Sequence, residues 1–255
     1  MLFDSHAHYD DIKYKDDVYE VIPNAHKSGV SYILNASSDI SSCIDSIALT
    51  QEFDFVYAAV GIHPHNVEYA NDNALKALAD FAENKKVVAI GEIGLDYYYD
   101  NSPREAQKQW FARQINLAVN LKLPVIVHDR DAHEDSLDII TQENAKEVGG
   151  VFHCYSGSVE MAKVLLEKNF YISIGGAVTF KNARRVVEVA RFIPIDRLLI
   201  ETDCPYMTPE PLRGKRNDSS YMRLVAEKIA EVRGIAFDEV AAATTENAKR
   251  LFKIP

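Results

Sequence analysis

The alternation of strand-like and helix-like segments is the feature that most restricts the fold of this chain. Eight short runs rich in apolar and β-branched residues are each followed by polar residues and then by a helical pattern. Some runs, such as Val87–Ile90, are continuously apolar, as expected of parallel strands covered on both faces. The eight predicted strands are Leu2–His8, Val30–Ala36, Phe55–His63, Val87–Glu92, Pro124–His128, Gly150–His153, Tyr171–Gly175 and Leu198–Asp203.

This alternation predicts an α/β fold, a (β/α)8 TIM barrel. Strands that alternate with helices form parallel sheets, and eight such units fit a chain of 255 residues. Helical periodicity over Ser219–Phe252 predicts extra C-terminal helices, with Asp238 as the N-cap of the last one. Because the chain has no internal repeat or flexible linker, residues 1–255 are expected to form one domain.

The composition excludes several classes of protein. With 47% hydrophobic and 26% charged residues, the chain is typical of a soluble globular protein. It has no apolar run long enough for a membrane helix, and Met1–His8 lacks the features of a signal peptide. Three cysteines without metal-finger spacing indicate a reducing cytoplasm. The net charge of −10 argues against a diffuse basic nucleic-acid surface but not against an enzyme that holds a phosphodiester through metal ions.

Six of the eight histidines lie at or just beyond the carboxyl ends of predicted strands, which form the catalytic face of such barrels. The alternation of His6 and His8 on the first strand lets both rings face the barrel axis and bind one metal. An H-x-H pair is a weak signal by itself, and a single histidine is more often a hydrogen-bonded core residue. The six are His6, His8, His63, His65, His128 and His153.

Two carboxylates follow apolar strands in the same way. Glu92 comes after Val87–Ile90, where a carboxylate can bridge two cations through its two oxygens or form an ion pair with a basic residue. Asp203 ends the eighth predicted strand. Glu201 and Asp4 lie deeper in the barrel, where they are better placed to support ligands than to bind a metal, or act as structural charges.

Together these positions predict a metal centre with four imidazoles and two carboxylates. Such mixed nitrogen and oxygen donors suit Zn, Mn, Ni, Co or Fe, and Mg with the help of the carboxylates. Six ligands with positions left for water require two divalent ions about 3.5–4 Å apart. The predicted ligands are His6, His8, Glu92, His128, His153 and Asp203.

Eight segments, in order along the whole chain, carry a resemblance to one known family. They are Phe3–His8, Gly61–His65, Gly91–Tyr97, Pro124–Arg130, Phe152–Gly157, Glu201–Tyr206, Arg213–Asn217 and Thr245–Phe252. Together they resemble the TatD family of metal-dependent deoxyribonucleases, which belongs to the amidohydrolase-like TIM barrels. The resemblance implies a 3′–5′ exonuclease that uses divalent metal ions (Mg, Mn or Zn) on single-stranded or damaged DNA, with a proposed part in DNA repair.

The resemblance also implies how the ligands divide. His6, His8 and Asp203 would hold the first metal, and Glu92 would bridge to a second metal held by His128 and His153. One departure is visible, since family members often carry a proline shortly after the Arg-Gly-Lys-x-Asn segment. In this chain Asp218–Ser220 stands there, which leaves the local loop geometry open.

The predicted chemistry follows from these ligands. Two cations lower the pKa of a bridging water, so that hydroxide attacks the phosphodiester near neutral pH. Asp203 is the predicted acceptor of the water proton, and Glu92 is the second catalytic residue. His63 and His65 are expected to donate hydrogen bonds to phosphate, or else they belong to a loop made rigid by Pro64.

A basic cluster near the predicted site suggests further substrate contacts. Arg213 and Lys215, with Arg216, fit contacts to a phosphate backbone, although a solvated loop is the competing interpretation. One tyrosine of Tyr97–Tyr99 can stack on a base, or these rings pack under the loop. We expect a monomer that acts on DNA or a nucleotide phosphodiester, without a membrane or an obligate protein partner.

Two other functions remain open from the sequence. The same barrel can hydrolyse another ester or amide, including the ester bond of a D-aminoacyl-tRNA. No lysine ends a predicted strand, which disfavours the carbamylated-lysine sites of related amidohydrolases. A catalytically silent scaffold protein is the other alternative, but none of the six predicted ligands is replaced.

Overall fold

The computed structural model describes all 255 residues and contains eight parallel strands arranged in sequence order around a barrel. Each strand pairs with the next through parallel hydrogen bonds, and helices cover the outside. The predicted (β/α)8 barrel is confirmed. The strands are β1 (Leu2–Ala7), β2 (Val30–Ala36), β3 (Val56–Val60), β4 (Val87–Asp96), β5 (Val125–Arg130), β6 (Gly150–Phe152), β7 (Phe170–Ile174) and β8 (Leu198–Ile200).

Nine α-helices follow the strands, and six short 3-10 helices lie in the connections. The α-helices are α1 (Val18–Lys27), α2 (Ile40–Glu52), α3 (Asp72–Phe81), α4 (Arg104–Leu121), α5 (His133–Gln142), α6 (Val159–Glu167), α7 (Arg184–Phe192), α8 (Met222–Arg233) and α9 (Phe237–Phe252). The 3-10 helices are Ile12–Tyr14, Pro64–Tyr69, Ala145–Glu147, Gly176–Thr179, Ile195–Arg197 and Ser219–Tyr221. None of the helices is both long and apolar enough to cross a bilayer.

The two predicted C-terminal helices are present, but the predicted N-cap of the last helix is wrong. Helix α8 completes the eighth β/α unit, and α9 packs against β1 and β8. The N-cap of α9 is Ala236 and not Asp238, because the helix begins at Phe237. Asp238 instead lies in the first turn, where its negative charge interacts favourably with the helix dipole.

Several strands are shorter than the sequence predicted. Strand β3 ends at Val60, β6 at Phe152 and β8 at Ile200. The side chains of His63, His153 and Asp203 therefore extend from the loops just beyond these strands. Strict alternation of side chains does not apply to loops, so their orientation depends on tertiary contacts.

Strand β4 is longer than predicted and runs to Asp96, which places Glu92 inside the strand. Its pairing with β5 shifts register between Ile90 and Ile93. Gly94 has a φ of 144°, and a Cβ atom there would lie 1.9 Å from the carbonyl oxygen of His128. Only glycine therefore permits this close approach of the two strands.

The seam between β1 and β8 is closed by a few specific contacts. A single parallel bridge joins Ala7 to Cys204, and the Ser5 hydroxyl donates to the carbonyl of Ile200 at 2.9 Å. The buried Asp4 carboxylate accepts hydrogen bonds from the backbone N–H and the hydroxyl of Thr202, at 2.9 and 2.6 Å. Burial raises the pKa of Asp4 to about 6, despite these hydrogen bonds. Asp4 thus holds the seam together and has no basic partner.

Candidate metal centre

Glu92 lies in the middle of a cluster of imidazoles at the carboxyl end of the barrel. Its side chain is only 3% exposed. The Oε1 atom lies 2.7 Å from His128 Nδ1, 2.8 Å from His153 Nε2 and 3.4 Å from His63 Nε2. Three ring nitrogens from β5 and from the loops after β3 and β6 therefore converge on one oxygen.

The other oxygen of Glu92 faces a different group. Its Oε2 atom lies 3.3 Å from His6 Nε2 and 3.4 Å from His8 Nε2. The Oδ1 atom of Asp203 approaches the same two nitrogens, at 3.9 and 3.5 Å. The two oxygens of one buried carboxylate thus point toward two separate sets of donor atoms.

His6, on β1, and His8, just beyond its end, have the geometry of a chelate. His6 and His8 direct their Nε2 atoms toward each other, 3.0 Å apart. The Nδ1 atom of His8 donates to the carbonyl oxygen of Ala36 at 2.8 Å, so that Nε2 would offer its lone pair to a metal once it has lost its proton. Such a hydrogen bond orients a metal-binding imidazole and fixes its tautomer.

Three sets of donor atoms are compact enough to surround an ion. Within each set, the donor atoms all lie within 4.8 Å of one another. The first, His6, His8 and Asp203, is the set implied for a first metal. The others are His63 with Glu92 and His128, and His6 with His153 and Glu201. Donors of this kind fit divalent ions, because the buried carboxylates have no lysine or arginine partner and face imidazole nitrogens.

The structure places His63, a predicted phosphate-binding residue, at the wall of the same site and also against Glu92. Sequence reasoning missed Asp96, whose Oδ2 atom lies 3.0 Å from both His128 Nε2 and His65 Nε2. Asp96 lies four residues after Glu92 on β4, so strand alternation places both side chains on the same side of the strand. This alternation could have identified Asp96 from the sequence. The hydrogen bond to Asp96 leaves His128 Nδ1 free to face Glu92.

Buried polar groups lie beneath the centre. Glu201 is fully buried and accepts a hydrogen bond from the backbone N–H of Cys154. Its Oε1 atom is 3.6 Å from His153 Nδ1, which is too far for a hydrogen bond. The rings of His6 and His153 stack with centroids 3.9 Å apart. The Nδ1 atoms of both rings and Oε2 of Glu201 have no hydrogen-bond partner.

The electrostatics of the cluster favour a bound cation. Burial alone would raise the pKa of Glu92, but its interactions with the imidazoles of His153, His63 and His6 lower it well below its usual value. Burial disfavours the charged form of His8, yet Asp203 and Glu92 raise its pKa to about 9. Without a metal, a proton on His8 offsets the negative charge of Asp203 and Glu92. A divalent ion bound there would replace the proton and offset the same charge.

A cavity of about 910 Å³ opens above the cluster. All four predicted substrate-binding residues lie at its wall, namely His63, His65, Arg213 and Lys215. Arg216 does not, because its guanidinium forms an ion pair with Asp17 at 2.6 Å. The basic cluster seen in the sequence is therefore divided between the cavity and a structural contact.

The three tyrosines after Glu92 have different environments. Tyr97 donates a hydrogen bond to Asp135 at 2.5 Å and packs under the loop. Tyr98 and Tyr99 are 59% and 55% exposed, and their rings meet edge to face at 4.9 Å. Only these two are available to a ligand.

Comparison with known proteins is consistent with this centre. A family model described as TatD related DNase matches residues 3–253. An uncharacterized metal-dependent hydrolase, YabD of Bacillus subtilis (strain 168), is 48% identical over 254 residues, covering 100% of both chains. A protein of Citrobacter rodentium named 3′-5′ ssDNA/RNA exonuclease TatD is 33% identical, over 99% of this chain and 98% of the relative.

Solved structures show the same architecture. The crystal structure of YJJV, a TatD homolog from Escherichia coli K12, aligns with a TM-score of 0.93 and 31% identity. The alignment covers 100% of this chain and 98% of that one. A TatD family hydrolase from Entamoeba histolytica has a TM-score of 0.89 at 24% identity, covering 99% and 98%, and supports the fold.

Proposed function

This chain belongs to the family of TatD-related DNases, which are metal-dependent hydrolases, and on that premise we propose that it is a 3′–5′ exonuclease acting on single-stranded DNA. The observation that carries the proposal is the position of Glu92. Its two oxygens face two sets of imidazoles, as a carboxylate that bridges two cations requires. The exonuclease name of one relative supports the choice of substrate.

His6, His8 and Asp203 would hold the first ion, and His128 would hold the second with Glu92 as the bridge. His153 and His63 both approach the same Glu92 oxygen, so either would supply a further donor on that side. When bound, two divalent ions (Mg, Mn or Zn) supply hydroxide near neutral pH and neutralise phosphate charge.

Asp203 is placed to accept a proton from the attacking water. It is 15% exposed and lines the cavity, so its carboxylate can reach a substrate. Burial would raise the pKa of Asp203, but the hydrogen bond to His8 and the neighbouring imidazoles lower it overall. The carboxylate is therefore ionised and able to accept a proton at neutral pH.

The phosphate is held by side chains at the cavity wall. Neither Arg213 nor Lys215 forms an ion pair, so their charges are available for the oxygens of a phosphodiester. His65 lines the same wall, where its imidazole would face the phosphate while its Nε2 atom donates to the Asp96 carboxylate that it shares with His128. These contacts need no base recognition and fit an enzyme that acts on many sequences.

A digestion time course tests this proposal. Single strands labelled at the 3′ or 5′ end are incubated with Mg, Mn or Zn, and with EDTA as the metal-free control. The 3′ label should appear at once as mononucleotide, while the 5′ label should pass through a ladder of shortening products. Asp45→Asn, at an exposed carboxylate of the cavity wall, should keep activity that Glu92→Gln loses.

Two results would count against the proposal. Release of the 5′ label first would show that digestion runs from the 5′ end to the 3′ end. Metal-dependent cleavage of a D-aminoacyl-tRNA ester, with intact DNA under all three metals, would establish the alternative hydrolase on the same barrel.

A further inference from the structure

A second cavity of about 1010 Å³ adjoins the metal centre on the side of β5–β7. It shares wall residues with the cavity described above, among them His128, His153 and Asp203. The two cavities are therefore lobes of one mouth that meet over the metal centre. We call the cavity that contains Lys215 the first lobe and the other the second lobe.

The walls of the two lobes differ in chemistry. The second lobe is lined in part by apolar side chains, including Tyr155, Val159, Phe180 and Val186. The first lobe is lined mainly by imidazoles, hydroxyls and carboxylates. The faces of a nucleobase are apolar and stack on such surfaces, so the second lobe fits a nucleoside better.

Three guanidiniums also line the second lobe. Arg130, Arg184 and Arg185 are exposed, and none of them forms an ion pair. The one hydrogen bond among their side chains is a long contact of 3.5 Å from Arg185 to the carbonyl of Ser156. Unpaired arginines beside an apolar wall match the two parts of a nucleotide, an anionic phosphate and a flat base.

Carboxylates are present as well, so net charge alone does not select the second lobe. Asp129 is neutralised by His133 at 2.7 Å, whereas Asp131, Glu160 and Glu188 have no ion-pair partner. Phosphate recognition in the second lobe therefore depends on individual guanidiniums in defined positions and not on a diffuse positive field.

Two stacked pairs mark the boundary between the lobes. The guanidinium carbon of Arg130 lies 4.3 Å from the ring centroid of Tyr98, and that of Arg213 lies 3.8 Å from the centroid of Phe180. Both rings line the second lobe, and both guanidiniums line the first. Stacking holds a guanidinium in a fixed plane while its N–H groups stay available to phosphate.

We propose that the second lobe is a subsite for the nucleotide on the 5′ side of the bond that is cut. This inference rests on the proposed nuclease function. The base lies against the apolar wall beside Tyr98, and the phosphate beyond the cut bond binds Arg184 and Arg185. The protein therefore binds at least two nucleotides of a strand, one on each side of the bond that is cut. It discriminates against substrates that carry a single phosphate.

The first test removes the two arginines of α7. The variant Arg184→Ala/Arg185→Ala is compared with Lys163→Ala/Arg191→Ala, which has the same change of net charge outside both lobes. Substrates are a DNA trinucleotide and thymidine 5′-(4-nitrophenyl phosphate), which has only the phosphate that is cut. For the trinucleotide, kcat/KM of the first variant should fall about 10- to 100-fold, mainly through KM, since hydrogen bonds to charged groups are worth that much.

The nitrophenyl ester and the control variant complete this design. Both variants should cleave the ester within about twofold of wild type, as expected of surface substitutions that touch nothing in use. The control should also cleave the trinucleotide normally. An equal loss on both substrates, or no loss on the trinucleotide, would refute the subsite while the nuclease function stands. If the wild-type protein cleaves neither substrate with Mg, Mn or Zn, both the proposed nuclease function and the proposed subsite are refuted.

The second test concerns the base. Tyr98→Leu should lower kcat/KM on the trinucleotide about tenfold, in line with stacking energies, whereas Tyr98→Phe keeps the ring and the rate. A trinucleotide with an abasic sugar on the 5′ side of the cut bond should not distinguish the two variants. If Tyr98→Leu lowers the rate equally with and without that base, the base does not bind in the second lobe.

Discussion

The Nε2 atom of His128 lies 3.0 Å from the Oδ2 atom of Asp96, on the edge of the ring opposite Glu92. The contact places a proton on Nε2 and directs the lone pair of Nδ1 toward the centre. The other oxygen of Asp96 accepts the backbone N–H groups of Tyr98 and Tyr99. One carboxylate thus orients a ligand and shapes the loop that carries the exposed tyrosines.

Asp96→Asn should weaken binding of the second metal about 10- to 100-fold, the usual cost of losing a partner of a ligating imidazole. Asparagine keeps the oxygen that binds the loop but cannot accept the proton of His128. Calorimetric titration of the metal-free protein with Mn²⁺ measures the change, and saturating metal should restore most activity. Unaltered metal affinity would mean that Asp96 serves the loop alone.

Glu92→Gln should remove the bridge between the two donor sets. We expect the metal content to fall from two ions toward one and the activity to fall about a hundredfold or more, since charge stabilisation by a metal is worth several kcal/mol. Elemental analysis of the purified protein gives the stoichiometry. Two retained ions in the variant would contradict a bridging role.

Substitutions of His63 and His65 should have different effects on metal binding and on KM for DNA, although the two residues are close in sequence. Burial lowers the pKa of His63 to about 4, so its ring is neutral at pH 7 and faces Glu92. His63→Ala should lower metal affinity about tenfold or more. His65→Ala should raise KM for DNA while two ions remain bound. The reverse pattern in the two assays would exchange their roles.

Removal of the metals should destabilise the fold. A metal present at a hundred times its dissociation constant contributes about 2.7 kcal/mol, and about 2–4 °C in Tm accompanies each kcal/mol in a chain of this size. Scanning calorimetry with EDTA, and then with metal restored, should show this drop in Tm and its recovery. A Tm that is independent of EDTA would show that no resident ion supports the barrel.

The His133–Asp129 pair predicts a pH-dependent contribution to stability. The hydrogen bond to Asp129, at 2.7 Å, raises the pKa of His133 above its ordinary value of 6.5. The pair therefore stabilises the fold below pH 6.5 and loses this effect as the pH rises through the raised pKa. His133→Gln should lower Tm at about pH 5.5 more than at about pH 9. A difference that is constant across this range would exclude protonation of His133 as its cause.

Much of the site was visible in the sequence because strand alternation and strand ends are local features. The barrel and the positions of its histidines along the chain followed from them. The side on which His63 faces did not, since it lies in a loop beyond β3 where alternation gives no guidance. Arg216 lies close to Arg213 in the sequence, but its ion pair with Asp17 joins residues 199 positions apart and cannot be seen in the local pattern.

The second lobe was also invisible in the sequence. Its wall is assembled from β5, α6 and α7 together with the loops after β4, β6, β7 and β8, and no single segment carries its pattern. Tyr98 is one of three consecutive tyrosines, but its stacking on Arg130 depends on the pairing of β4 with β5.

The seam between β1 and β8 has a consequence for how the protein is made. The contact of Asp4 with Thr202 spans 198 residues, and the first donor set takes His6 and His8 from one side and Asp203 from the other. On the ribosome, a nascent chain carries His6 and His8 well before Asp203, which appears only after β8 has emerged. A complete first metal site therefore becomes available only when the barrel can close, and an incomplete chain cannot hold an ion there in its final geometry.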